Sequence, residues 1–324
     1  MKRILSAILI LVLTLGTVLS GCAGSSGAPV AAYYEEAVLR RMKVGIGVAD
    51  RMSGMADGVV LAEEKTFDPD YVSATAAGLF AEDAEEGLLY AKAITERVYP
   101  ASMTKCMTAL LTLEYASDLN EEVTVTSDAY RNLSDDSSTA NLKVGGTYSV
   151  KSILYALLLP SANEAANILA VYVSGSIEAF VQKMNARALE LGMMNTRFKN
   201  PHGLHDAGHY TTVYDLYLLF RELIRIPAFL EIAGTKSAEI RCTINGAVET
   251  SVVTTTNSYI RQYAAPPRGI NPVAGKTGYT ASAGRCLIML FMDARGKRYI
   301  TVVAHANTYD GVYEETSKLL ELIR

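Results

Sequence analysis

Tyr99-Pro100-Ala101-Ser102-Met103-Thr104-Lys105 is the stretch on which the reading of this 324-residue chain turns. Pro100 marks the start of an element. Met103, Met107, Leu110 and Leu111 then recur at i, i+4, i+7 and i+8, which predicts a helix from Ser102 to about Tyr115 with one face in a core. Ser102 and Lys105 stand three residues apart on that helix, so the lysine ammonium can reach the serine hydroxyl. An alkyl hydroxyl attacks only when a neighbouring base takes its proton. A lysine serves as that base only when desolvation or a second cation lowers its pKa. The plainer reading of the same residues is a serine that caps the helix beside a solvated lysine.

Outward from this helix the chain runs through strands, helices and strands again. Ala76–Ala81 and Leu88–Ala91 read as a hairpin across the acidic turn Glu82–Gly87. Helices are predicted at Ser152–Leu159 and Asn163–Tyr172, broken at Pro160, and then at Ile177–Leu191 and Tyr214–Ile224. Cys286–Met292 and Tyr299–Ala306 read as buried strands joined by Asp293-Ala294-Arg295-Gly296, and Glu314–Ile323 as a closing amphipathic helix. Strands at both ends with helices between them predict an α/β (α+β) fold class. An antiparallel sheet assembled from the two ends of the chain would be flanked by helices, and the central helices would form a separate helical lobe. A site is then expected in the cleft between sheet and lobe.

Half the residues are hydrophobic and a fifth are charged, enough for a buried core. With 30 Lys+Arg against 34 Asp+Glu and no dense basic block, nucleic acid is excluded as a natural partner. Lys2 and Arg3 followed by the apolar run Ile4–Val18 have the layout of a secretory signal peptide, and the run is short of the roughly 20 residues a spanning helix needs. Leu19-Ser20-Gly21-Cys22 looks like a bacterial lipobox, in which Cys22 becomes the lipidated first residue of an exported chain held on the outer face of the membrane. Cys106, Cys242 and Cys286 remain, an odd number, so at least one is expected as a free buried thiol. The chain therefore divides into a signal peptide (1–21), a lipid-bearing tether with an unassigned segment (22–69), and a catalytic domain (70–324). Within the unassigned part, Tyr33–Met42 reads as a short helix.

Two further triplets join the first. Ser161-Ala162-Asn163 follows Pro160 in a loop between helices, and Lys276-Thr277-Gly278 stands just before the strand from Cys286. A chain of this size contains about one Ser-x-x-Lys by chance, and each triplet alone reads equally well as a cap or a turn. Here each pattern occurs once, in the order Ser-x-x-Lys, Ser-x-Asn, Lys-Thr-Gly. That ordered set is the signature of serine enzymes that react with penicillin. Tyr99–Lys105, Asn200-Pro201-His202-Gly203-Leu204-His205-Asp206, Tyr210-Thr211-Thr212 with Asp215, and Gly275-Lys276-Thr277-Gly278-Tyr279-Thr280 each resemble a segment of the low-molecular-weight D-alanyl-D-alanine carboxypeptidases, penicillin-binding serine peptidases. The resemblance runs from about Ser73 to the end of the chain.

The resemblance implies a β-lactamase-like fold and a reaction on peptidoglycan stem peptides ending in D-Ala-D-Ala, with β-lactam antibiotics as acylating mimics and no cofactor or metal. It implies Ser102 as nucleophile, Lys105 as general base, and Ser161 as proton relay to the leaving amine. Asn163 would hold Lys105 and the substrate amide, while Lys276 and Thr277 face the substrate carboxylate. Gly278 would let backbones approach closely, and the N–H groups of Ser102 and Tyr279 would form the oxyanion hole. Ala162 stands where relatives often have Gly. The β-rich C-terminal domain and terminal anchor of many relatives are expected to be absent, with the Cys22 lipid replacing the anchor.

Three other readings compete. A β-lactamase would need a Glu-bearing loop to activate the deacylating water, and the region of Asn200–Asp206 has no Glu-x-x-Leu-Asn. A non-catalytic peptidoglycan- or penicillin-binding lipoprotein would have no use for Ser102, Lys105, Ser161 and Lys276 together. A zinc site on His202, His205 and His209 is disfavoured because Gly203 and Gly208 interrupt any regular helix there.

Overall fold

A computed structural model describes residues 67–82, 87–134 and 137–323. The expected signal peptide, Cys22, the tether and the Tyr33–Met42 helix lie outside the described residues. In chain order the elements are β1 (Ala76–Ala81), β2 (Leu88–Lys92), a 3-10 turn at Ala101–Thr104, α1 (Lys105–Tyr115), β3 (Glu122–Thr124), a 3-10 turn at Ser127–Tyr130, β4 (Thr147–Ser149), α2 (Val150–Leu158), α3 (Asn163–Ser174) and α4 (Ile177–Glu190). There follow α5 (Val213–Leu223), α6 (Pro227–Ala233), β5 (Ser237–Ile244), β6 (Ala247–Thr254), α7 (Ser258–Arg261), β7 (Ile270–Thr280), β8 (Gly284–Asp293), β9 (Arg298–Ala306) and α8 (Tyr309–Leu320).

The main sheet has the order β2-β1-β9-β8-β7, antiparallel throughout. Its first and last strands meet as expected, with Ala76 opposite Ala304. Side chains alternate across a strand. Ile288, Leu290, Ile300 and Val302 therefore enter a core shared with the central helices, while Leu287, Met289, Phe291 and Val303 enter a second core with Val312, Tyr313 and Leu319 of α8. Both faces are covered, which is why β8 and β9 read as continuous apolar runs.

Helix α1 lies at the centre of the first core. Met103, Met107 and Leu110 are wholly buried, and so are Thr104, Lys105, Thr108 and Thr112 on its other faces. Cutting a side chain such as Leu110 back to alanine there costs about 2–5 kcal/mol. Side-chain caps set several helix starts. Ser149 accepts from Ser152 N, Ser176 from Ala179 N, Thr212 from Asp215 N and Thr308 from Gly311 N. The Thr308 cap starts α8 five residues before the expected Glu314.

Two expectations are corrected. The second lobe is not purely helical: β3-β4-β5-β6 form a four-stranded sheet in it. Its β5–β6 hairpin turns at Asn245-Gly246, both at positive φ (50° and 77°) as a tight two-residue hairpin turn requires. Lys276-Thr277-Gly278 stands just before the strand that carries Cys286, as expected, but is itself inside a strand, β7, the edge strand of the main sheet.

Candidate active site

The Ser102 segment is a tight turn before a helix. Ala101 adopts φ +47°, a conformation that costs an L-residue energy, and residues 101–104 wind as a 3-10 turn before α1 begins at Lys105. Ser102 lies inside the 3-10 turn, whose N-cap is Pro100, and the N-cap of α1 is Thr104, so the capping reading fails. Its Oγ lies 3.1 Å from Lys105 Nζ. The lysine is wholly buried, and its Nζ also donates to Asn163 Oδ1 at 2.6 Å and to the His202 carbonyl at 2.7 Å. Burial holds the Lys105 pKa well below the ordinary lysine value, and the charge of Lys276 pushes it further down. Glu164 acts in the opposite sense. A neutral amine has two hydrogens and one lone pair. Two carbonyl acceptors on Nζ take the hydrogens and leave the lone pair for the Ser102 hydroxyl.

Ser161 stands between α2 and α3 at φ +67°. Its Oγ accepts from Lys276 Nζ at 2.9 Å, and Lys276 also donates to the Thr277 carbonyl at 2.8 Å. Lys276 is wholly buried, and burial lowers its pKa to about 8. Ser102, Lys105 and Asn163 thus form one bonded group, Ser161 and Lys276 a second, and the field of Lys276 at Lys105 couples them. Thr277 Oγ1 contacts Thr256 Oγ1 at 2.6 Å on the solvent side. Tyr279 is 54 % exposed, with the Arg285 guanidinium carbon 3.7 Å from its ring centroid. A Cβ on Gly278 would lie 3.2 Å from Ser102 N and from the Pro100 carbonyl, so glycine lets β7 abut the nucleophile turn.

The Asn200–Asp206 loop closes the site from behind. Asn200 accepts from Gly203 N at 2.6 Å and donates to the Leu204 carbonyl at 2.9 Å, while Thr108 Oγ1 donates to the Pro201 carbonyl at 2.6 Å. These bonds aim the His202 carbonyl at Lys105. The histidine rings have other work. Leu204 N donates to His202 Nδ1 at 3.2 Å and Lys199 N to His209 Nδ1 at 3.4 Å. His209 Nε2 therefore carries its proton and donates to Thr104 Oγ1 at 2.9 Å. His205 stands edge-on to Tyr99. Among the described residues no three His, Cys, Asp or Glu side chains are grouped as a metal site.

Cys106 is buried, and burial pushes its thiol up to about 12, so the cysteine beside Lys105 is a packing residue. Cys242 and Cys286 are also free and buried. Glu164 is buried as well, with Oε1 accepting from Thr139 Oγ1 and Ala140 N, both at 2.7 Å, which pins the 139–142 segment beside Asn163. Its other oxygen, Oε2, is buried with no hydrogen-bond partner among the described residues. Sequence reading missed the His202 carbonyl, Thr256 and Glu164. A backbone oxygen has no residue-type signal, although the Asn200–Asp206 segment that carries it was legible.

A lysine-activated serine lying against the edge strand of an antiparallel sheet, with a helix-rich lobe on the other side, defines the β-lactamase-like serine peptidases as a class. Within it, the family model described as D-alanyl-D-alanine carboxypeptidase matches residues 63–308, and the chain belongs to that family. It is 35 % identical over 238 residues to the D-alanyl-D-alanine carboxypeptidase DacF of Bacillus subtilis, covering 72 % of this chain and 58 % of the relative. It is 30 % identical over 231 residues to DacA of Haemophilus influenzae, covering 70 % of this chain and 56 % of the relative. The chain thus spans somewhat over half the length of the curated relatives it matches first. The crystal structure of the Streptomyces K15 DD-transpeptidase superposes with a TM-score of 0.72 at 26 % identity, covering 78 % of this chain and 97 % of that one. The expected fold is the one observed.

Proposed function

We propose that the chain is a serine D-Ala-D-Ala carboxypeptidase that removes the terminal D-Ala from peptidoglycan stem peptides. The observation that carries this reading is the Lys105 amine, wholly buried, with two carbonyl acceptors on its hydrogens and Ser102 Oγ at 3.1 Å. Neutral Lys105 takes the Ser102 proton as Oγ attacks the carbonyl of the penultimate D-Ala. The N–H groups of Ser102 and Tyr279 hold the oxyanion, a contribution of about 3 kcal/mol per donor. As the C–N bond breaks, Ser161 gives its proton to the departing D-Ala amine and receives in return the one that Lys105 took from Ser102, which leaves Lys105 neutral again. Lys276 and Thr277 hold the substrate carboxylate, and Asn163 spans Lys105 and the substrate amide. Water then cleaves the Ser102 ester and restores the hydroxyl.

A β-lactam opens on Ser102 by the same attack, but its amine stays tethered, so the adduct persists. Intact mass after benzylpenicillin tests this: a lasting adduct on Ser102 is expected, with both adduct and D-Ala release lost in Ser102→Ala. Either one surviving at the original rate refutes Ser102 as nucleophile. Penicillin destroyed without a lasting adduct would make the chain a β-lactamase.

We also propose that the chain is exported and held on the outer face of the bacterial membrane by a lipid on Cys22. Its support is the run from Lys2 to Cys22. Cys22→Ala should move the protein from the membrane to the soluble extracytoplasmic fraction, and unchanged membrane association refutes the anchor.

A further inference from the structure

Acylation creates a positive charge where the fold already buries one. As Ser102 gives up its proton, Lys105 becomes an ammonium, with the charge of Lys276 close by. Both side chains are wholly buried, and every hydrogen bond that their amines make among the described residues goes to a hydroxyl or a carbonyl oxygen. Two buried cations repel each other, and the second is costly to form unless an anion offsets it. The charged and titratable groups that face Lys105 are few. Lys276 comes from β7, Cys106 from the same helix as Lys105, and the His202 ring from the loop behind. The thiol near 12 and the ring near 3 leave Cys106 and His202 neutral across the neutral range. The carboxylate that faces Lys105 is Glu164, in the first turn of α3.

The two oxygens of Glu164 have different surroundings. Oε1 holds Thr139 Oγ1 and Ala140 N, and lies 3.5 Å from Leu142 N. Asn163 N donates to the Ser138 carbonyl at 2.8 Å, so residues 138–142 are clamped against the turn that carries Ser161 and Asn163. One turn further along α3, Asn167 donates to the carbonyls of Ala129 and Arg131 at 3.1 and 3.2 Å. Oε2 is buried and accepts no bond among the described residues. A clamp needs one acceptor oxygen, which a neutral amide supplies as well as a carboxylate does. A buried oxygen without a donor is destabilising. The clamp therefore accounts for Oε1 but not for the charge.

We propose that Glu164 is a positioning residue for acylation, the counter-charge to the Lys105 ammonium that forms when Ser102 is deprotonated, an inference that rests on the acylating-serine reading. In that step the Ser102 O–H bond breaks, its proton passes to the Nζ lone pair, and Oγ bonds to the substrate carbonyl carbon. Glu164 neither gives nor takes a proton. Its charge opposes the lowering of the Lys105 pKa by burial and by Lys276. The amine is thereby a stronger base, while less of it is neutral at acid pH.

The test is the pH profile of acylation by benzylpenicillin, followed by quenched intact mass on the whole chain, with thermal melts alongside. Glu164→Gln keeps an acceptor for Thr139 and Ala140 and removes the charge. It should acylate about three- to tenfold more slowly at the optimum, and the midpoint of its acid limb should move to lower pH, so that the two profiles converge on the acid side. Glu164→Asp keeps the charge on a shorter side chain and loosens the clamp. It should melt earlier and acylate more slowly, with the acid midpoint of the parent. A carboxylate that merely favours the start of its own helix would lower the whole profile by one factor and leave the midpoint in place. An unmoved or raised midpoint in Glu164→Gln, or a midpoint in Glu164→Asp that falls below the parent's, overturns the inference. Failure of the acylating-serine reading is seen separately, as a parent chain that forms no adduct at any pH.

Discussion

Replacing Gly203 with alanine moves Ser102 without touching it. Gly203 sits at φ +93°, and a Cβ built there falls 1.9 Å from the Ala101 carbonyl oxygen and 2.4 Å from its carbon. To reach ordinary contact the two backbones must part by about 1.5 Å. Ala101 is already at φ +47° and Pro100 fixes the residue before it, so the turn has little freedom to absorb the shift. An alanine at such a φ costs about 1–2 kcal/mol, and displacing the turn adds a similar amount. Melting should therefore fall by roughly 4–16 °C. Activity should fall further. The same loop presents the His202 carbonyl to Lys105, so serine and base move relative to one another, and a misplacement near 1 Å costs about a hundredfold. The assay is the rate of Ser102 acylation by benzylpenicillin, followed by quenched intact-mass measurements beside a thermal melt. Acylation within about threefold of the parent, with unchanged melting, would refute the claim that this loop sets the position of Ser102.

Three more outcomes follow from the buried titratable groups. Acylation should rise with pH as the depressed Lys105 amine loses its proton and fall again near pH 8 as Lys276 loses its charge; a rate still climbing past pH 9 would contradict the Lys276 role. Burial lowers His202 to about 3 and His209 to about 4, so between those values and about pH 6.5 the unfolded chain binds more protons than the native one. Stability should therefore be lost as pH falls through that window, by about 3 kcal/mol for His209 alone, and urea midpoints that stay level from pH 7 to 4.5 would refute it. Cys106, Cys242 and Cys286 should alkylate only after denaturation; fast labelling of Cys106 in the native protein would contradict its burial and its thiol near 12.

What the sequence made legible is what depends on side-chain spacing. The Ser102–Lys105 interval survives the winding of residues 101–104 as a 3-10 turn, because residues three apart lie on one face in either helix. The outer strands and central helices follow their apolar periods to within a few residues. The rest failed for identifiable reasons. β7 contains Pro272, Gly275 and Gly278, which read as turn chemistry, yet Gly278 is needed inside the strand because it faces the Ser102 turn. The β5–β6 hairpin carried its Asn245-Gly246 turn in plain view, but β6 is exposed at almost every position and lacks a half-buried alternation. The third contact on Lys105 comes from a main-chain oxygen, which every residue type possesses.

The pairing of Ala76–Ala81 with β9 has a consequence for how the molecule is made. A strand formed early in synthesis has only β2 to pair with, and an isolated hairpin is marginal in water. Its other edge stays open until Arg298–Ala306 is made, more than two hundred residues later, so the main sheet closes over a very long loop and closes last. Lys105 and Lys276 are buried where β7 and the helices meet. A growing chain therefore carries its Ser102 without an activated base. Such a chain remains threadable and inert until its final strand arrives, which suits the export proposed from its first residues.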